Sequence, residues 1–140
     1  MSKSTWDPHT YKVLILEAHL DSYGHVNNAM YLTLLEEARW DFITAGGYGY
    51  EVVHKTKKGP VILDIHLSFL KELRLREEIT IESQVVEYSS KVGSMRQRML
   101  RHDGTECAVV TMKFGFFDLE VRRLIAPPPE WLKALGHSKN

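Results

Sequence analysis

Within eight residues the chain sets out one acid, one imidazole and two amides, in the segment Asp21-Ser22-Tyr23-Gly24-His25-Val26-Asn27-Asn28-Ala29-Met30-Tyr31. The segment follows an apolar, strand-like run and leads into an amphipathic stretch. It therefore sits where the first N–H groups of a helix lack partners. Such N–H groups, carrying about half a positive charge, hold a carbonyl oxygen best as it becomes negative. A carboxylate beside them can attack that carbonyl or deprotonate a water aimed at it. Asp21 is the candidate acid. His25 is placed to orient it, hold the water or protonate a leaving group. Gly24 permits a turn that a side chain would obstruct. Asn27 and Asn28 are placed to cap the helix through their side chains. Tyr31 packs beneath the site. Alone, Asp21 and Asn27 are what any turn and cap would carry. It is the whole eleven-residue combination that points to chemistry.

These residues need elements to hold them. Val13 to Leu16, flanked by Tyr11 and Ala18, reads as a first strand. From Asn28 to Ala45, Tyr31, Leu34, Leu35, Ala38, Phe42 and Ala45 recur at three- and four-residue spacing, while Thr33, Glu36, Glu37, Asp41 and Thr44 fall opposite, which predicts one long helix. Gly46-Gly47 reads as its left-handed stop. A Lys- and Gly-rich loop, Lys55 to Gly59, precedes four strands. Val61 to Phe69 alternates with period two, as do Ile79, Ile81, Ser83 and Val85. Val92 to Leu100 carries Arg96, Gln97 and Arg98, which suggests a solvated face or a partner. Glu106 to Phe117 places Ala108, Val110, Met112, Phe114 and Phe116 on one face. His102-Asp103-Gly104-Thr105 is a hairpin signal. Pro127-Pro128-Pro129 breaks the chain before a short helix over Glu130 to Leu135. Short turns imply antiparallel pairing. With no second long helix to cover α-helical apolar surface, a curved sheet must wrap the helix, an α+β arrangement with edges open to another subunit.

At 140 residues one domain over 1–140 is expected. Eighteen basic and eighteen acidic residues cancel, which argues against nucleic acid as a partner. The single Cys107 forms no internal disulfide. No apolar run approaches the roughly 20 residues of a membrane span, and Met1 to Lys12 is polar, so a cytoplasmic location is expected. The histidines, His9, His19, His25, His54, His66, His102 and His137, show no paired ligand spacing, so no metal is expected. His66 is expected to face solvent. Trp40 lies at the edge of the helix's polar side, where it meets a partner or the margin of the core.

Motif and element order together resemble the hotdog-fold acyl-CoA thioesterases, specifically the 4-hydroxybenzoyl-CoA thioesterase group, over roughly Tyr11 to Leu124. The resemblance implies hydrolysis of acyl-CoA or acyl-carrier-protein thioesters by water without a cofactor. It also implies a homodimer or homotetramer with sites at subunit interfaces. Asp21 matches that family's catalytic acid, and Asn28 stands where a backbone N–H binds the thioester carbonyl. Several bacterial members carry His at the position of Asn28. The His-Val-Asn-Asn string is similar to the plant acyl-carrier-protein thioesterases, whose acid and His four residues later both belong to the site. Asp21 and His25 keep that spacing, but Tyr23 replaces an amide. Another hotdog branch places its acid within the helix, where Glu36 and Glu37 stand. Lys55, Lys57 and Lys58, or Arg96, Arg98 and Arg101, are the cations available for coenzyme A phosphates. The rival readings are a hotdog hydratase or dehydratase, and a non-catalytic acyl-CoA-binding module.

Overall fold

The computed structural model describes residues 5–138, so both ends of the 1–140 domain reading lie outside the described residues. Chain order is β1 (Thr5–Trp6), β2 (His9–Leu14), α1 (Asn28–Ala45), α2 (Tyr50–Thr56), β3 (Lys58–Phe69), β4 (Glu78–Ser89), β5 (Val92–Leu100), β6 (Glu106–Asp118), β7 (Arg123–Ile125), α3 (Pro129–Ala134) and β8 (His137–Ser138).

The helix forms where its spacing predicts. At 1.5 Å per residue α1 is about 27 Å long. Tyr31, Leu34, Leu35, Ala38 and Phe42 are buried, and Thr33, Glu36, Glu37, Asp41 and Thr44 are exposed. The last turn departs from expectation: Ile43 is buried and Ala45 is exposed. The cause is the packing of α3 against this end of α1: Trp131 and Leu135, just after α3, wall the same cavity as Ile43 and shift the buried stripe toward them. Of the two glycines after the helix only Gly47 is left-handed, at φ +95°. Gly46 has φ −82°, and space is its constraint: a Cβ there would stand 2.4 Å from the Ala134 carbonyl oxygen.

The sheet has the order β2-β4-β5-β6-β3, antiparallel throughout, with β7 on one end of β6. Ile79, Ile81, Ser83 and Val85 from β4, Met95 and Met99 from β5, and Ala108, Val110, Met112, Phe114 and Phe116 from β6 are buried. They form the concave floor on which α1 lies. β1 and β8 pair separately.

Three local expectations change. The first strand runs His9–Leu14, and Glu17–His19 is a 3₁₀ turn, in which the His19 and Leu20 N–H groups donate back to the Leu16 and Glu17 carbonyls. Lys55 to Gly59 is not a loop: α2 continues to Thr56 and β3 starts at Lys58, joined through a left-handed Lys57 at φ 60°. Gln97, expected on a solvated face or against a partner, is fully buried. Its amide donates to the Leu35 carbonyl and Ser83 Oγ, each at 3.0 Å, and accepts from Arg39 at 3.0 Å. A buried amide so paired does not carry the cost of an orphaned one.

On β3 a register shift between Ile62 and Asp64 breaks the alternation. Ile62, Leu63, Ile65 and Phe69 are all at least a third exposed. β3 is also the sheet's outer strand. No helix among the described residues is long and apolar enough to cross a membrane.

Candidate active site

The segment before α1 folds into a small closed loop. Leu20 and Val26 form an isolated antiparallel bridge. Inside it, the Asp21 N–H donates to the His25 carbonyl at 2.8 Å and the Gly24 N–H donates to the Asp21 carbonyl at 3.0 Å. Asp21 Oδ1 accepts from the N–H groups of Tyr23 at 2.9 Å and His25 at 3.1 Å. The carboxylate thus fastens its own loop, and Oδ2 accepts no hydrogen bond among the described residues. Gly24 holds φ +81° with open space around it, so backbone conformation is its requirement, not room. Val26 is buried and anchors the loop in the core.

Asn27 caps α1. Its Oδ1 accepts from the Met30 N–H at 3.0 Å, and its carbonyl accepts from Met30 and Tyr31. The cap falls to Asn27 alone, because only the residue just before the helix directs its side chain onto the first-turn N–H groups. The N–H groups of Asn28 and Ala29 donate to nothing among the described residues and lie on an exposed surface. Tyr31 packs beneath, 5% exposed, edge-on to Phe69 at 4.9 Å between ring centres. Burial raises its phenol pKa, while a hydrogen bond with the Leu73 backbone pulls the other way.

His25 lies in the same loop but its imidazole is exposed. Its nearest charged group is Glu72, with Nε2 3.8 Å from Oε1. Glu72 follows β3, 47 residues beyond His25. Nothing local in the sequence announces that approach. Glu36 and Glu37 stand apart from this loop. Glu36 is eight residues along α1, about 12 Å from Asn28, and Glu37 accepts from the Tyr11 hydroxyl at 3.4 Å.

Between the second half of α1 and the sheet lies a cavity of about 120 Å³, walled by Trp40, Ile43, Met95, Met112, Phe114 and Trp131, together with Glu36, Arg39, Pro60 and Ile62. Trp40 is partly buried there. Desolvation lowers the Arg39 pKa, and Glu36 opposes that shift. No carboxylate oxygen among the described residues lies within 4.0 Å of Arg39.

The structure narrows the candidate phosphate cations. Arg98 is held by Glu82 at 2.8 Å and Glu106 at 2.9 Å, and Arg101 by Glu77 at 3.1 Å. Those two are spent on ion pairs, Arg98 between neighbouring strands and Arg101 between the segments just after β5 and just before β4. Lys55, Lys57, Lys58 and Arg96 have no such partner within 4.0 Å among the described residues. His66 is exposed, as expected. No three metal-ligating side chains gather among the described residues.

One long helix lying in the curve of an antiparallel sheet is the hotdog fold. The chain belongs to the thioesterase-like superfamily, whose family model matches residues 16–135. It is 33% identical to the long-chain acyl-CoA thioesterase FadM of Escherichia coli (strain K12) over 110 residues, 77% of this chain and 82% of that protein. The crystal structure of the probable thioesterase YbaW from Escherichia coli matches with a TM-score of 0.79 at 27% identity, covering 91% of this chain and 98% of that one. A DHNA-CoA thioesterase from Staphylococcus aureus shares the fold, with a TM-score of 0.80 at 18% identity, over 91% of this chain and 87% of that one. The expectations of a hotdog fold and of a thioesterase are borne out.

Proposed function

We propose that the chain hydrolyses acyl-coenzyme A thioesters to the free acid and thiol, with Asp21 as general base or nucleophile and the N–H at Asn28 holding the thioester carbonyl. The observation that carries this reading is the Asp21 carboxylate. It is fixed through one oxygen by two backbone N–H groups, in a loop that leads directly into the start of α1, where the N–H groups of Asn28 and Ala29 have no partner among the described residues. A thioester is more electrophilic than an oxygen ester because sulfur donates weakly into the carbonyl. As the carbonyl carbon becomes tetrahedral its oxygen gains negative charge, and the donors at the start of α1 bind that state more tightly than the substrate.

Asp21 Oδ2 is the atom with capacity to act. As a base it takes a proton from water, whose oxygen bonds to the carbonyl carbon. As a nucleophile it forms a mixed anhydride that water then opens. In either course the C–S bond breaks and the thiolate leaves with its electron pair. His25, exposed beside Glu72, lies within the loop to protonate that sulfur or hold the water. Gly24 and Asn27 set the loop and the helix start, and Tyr31 supports them from below.

Coenzyme A is favoured as carrier by the FadM likeness, and an acyl chain of long type by that relative's name. Acyl carrier protein is the other donor to try. The open, apolar β3 edge supports a homodimer or a homotetramer. The test is release of free thiol from short-chain, long-chain and aromatic acyl-coenzyme A. Turnover of one class with kcat/KM above about 10⁴ M⁻¹s⁻¹ is expected of an enzyme on its own substrate. No release across the panel, with the ligands still bound, overturns hydrolysis in favour of a binding module.

A further inference from the structure

The cavity under the second half of α1 is separate, within this chain, from the acid-bearing loop. Glu36, at its rim, is about 12 Å along the helix from Asn28. Tyr31, Leu34 and Leu35 are buried between the two. The walls are held apart. Trp131 stands edge-on to Tyr48 at 5.4 Å and tilted on Phe116 at 5.2 Å between ring centres. Gly46 already touches Ala134 so closely that a Cβ there would stand 2.4 Å from its carbonyl oxygen, so α3 has no room to advance on α1. About 120 Å³ is left beside Ile43, Met95, Met112 and Phe114. An apolar space of roughly this size stays dry and takes in hydrocarbon, because the atoms lining it lack contacts on one side.

One cation borders this space. Arg39 is partly buried, and its Nη1 donates to Gln97 Oε1 at 3.0 Å. Gln97 cannot turn, because its Nε2 donates to the Leu35 carbonyl and to Ser83 Oγ. Of the five guanidinium N–H donors this one alone is engaged among the described residues. No carboxylate oxygen among them lies within 4.0 Å of Arg39. A neutral amide does not balance a partly desolvated charge. Trp131 Nε1, in a ring of the same wall, is buried without an acceptor, and the Tyr88 hydroxyl beside it is also unpartnered. Glu36 is the one anionic side chain at the cavity, one turn before Arg39 and exposed.

We propose that this cavity binds a small carboxylic acid, with its carboxylate on the Arg39 guanidinium and its apolar body among Met95, Met112 and Trp131. Arg39 offers a planar fork that grips two carboxylate oxygens at once. The methionine side chains adjust to the shape of the body, which has room for about five or six carbons. The polarity is the reverse of the thioester site, where Asp21 would repel an anion. The proposal goes beyond the hydrolase reading and does not depend on it.

Trp40 and Trp131 wall the cavity, so intrinsic fluorescence reports its filling. The test is titration of hexanoate, hexanol and acetate into the full chain at neutral pH, with melting curves alongside. Hexanoate is expected to give a saturable fluorescence change and to raise Tm as its concentration passes Kd. Hexanol keeps the body without the charge and is expected to bind at least about tenfold more weakly. Acetate keeps the charge without the body and is expected to bind at least about a hundredfold more weakly. Arg39→Gln is expected to weaken hexanoate about tenfold or more and leave hexanol unchanged. Glu36→Gln, which removes the rim charge, is expected to tighten hexanoate roughly two- to fivefold. No saturable binding of hexanoate overturns the proposal. Acetate as tight as hexanoate reduces the site to surface anion binding, and hexanol as tight as hexanoate reduces it to a hydrocarbon void; either result overturns it. Hexanoate affinity unchanged in a folded Arg39→Gln places the ligand elsewhere and overturns it too. Should Arg39→Gln misfold, the wild-type ranking of the three probes and the sign of the Glu36→Gln effect decide without it.

Discussion

Asp21→Asn separates chemistry from architecture at a single atom. The carboxylate accepts two backbone hydrogen bonds through Oδ1, at 2.9 Å and 3.1 Å. An asparagine carbonyl oxygen can accept both, so the loop keeps its shape. What changes is charge assistance, which roughly doubles the strength of such bonds. With two bonds worth about 0.5–1.5 kcal/mol each when neutral, the stability loss is about 1–2 kcal/mol at most, and less because Asp21 is partly exposed. For a domain of this size that is a fall in Tm of a few degrees, on the order of 3–8 °C. The barrier responds on another scale. An amide is neither a base nor a nucleophile here, and loss of a positioned proton acceptor typically costs about 10²–10⁴ in rate, or roughly 2.7–5.5 kcal/mol. Two measurements on the same preparation decide the matter: thermal melting by circular dichroism, and thiol release from a long-chain acyl-coenzyme A. The expected variant melts within a few degrees of wild type and has lost at least about a hundredfold in kcat. A variant folded like wild type that retains more than about a tenth of its kcat refutes the assignment of Asp21.

Removing the helix cap by Asn27→Ala is expected to cost about 1 kcal/mol, read as a lower urea midpoint, and to lower kcat because the N–H groups beside it lose their fixed aim. Gln97→Ala leaves Arg39 and Ser83 without a buried partner, and a loss of about 2–4 kcal/mol in chemical denaturation is expected. A variant within 0.5 kcal/mol of wild type, a limit of roughly the surface-substitution range, would mean that water replaces the amide freely. Gly46→Ala drives a methyl into the Ala134 carbonyl and is expected to loosen α3, seen as faster hydrogen exchange across Trp131–Leu135. Burial pushes the Cys107 thiol pKa above its ordinary 9.0. The unfolded thiol ionises first, so this contribution to stability is complete below pH 9.0 and is lost as pH rises through the raised native value. A thiol reagent at pH 8 is expected to modify Cys107 only when the chain is denatured.

What was legible in the sequence was what is periodic or contiguous. The face of α1 from Tyr31 to Phe42 and the inward residues of β4 and β6 follow from spacing alone, because one wrong register step would expose them all. The loop from Asp21 to Asn28 was legible because its hydrogen bonds close within eight residues. What spacing missed depends on residues far apart in the chain. Ile43 is buried by Trp131, which lies 88 positions later. Gln97 is polar but reaches Leu35 and Ser83. Glu72 comes to His25 only once β3 and β4 are in place. Arg98 and Arg101 looked like free cations until strand pairing set Glu82, Glu106 and Glu77 beside them.

The grip of Ala134 and Trp131 on the far end of α1, and the pairing of Thr5–Trp6 with His137–Ser138, have a consequence for synthesis. On the ribosome the central helix emerges well before the residues that seal its last turn, because Trp131 and Ala134 lie far downstream of it. The nascent chain must therefore carry an unsealed apolar groove until those residues leave the tunnel. The far end of the helix is then expected to close late and together with α3, and to need holdase protection until that helix is free.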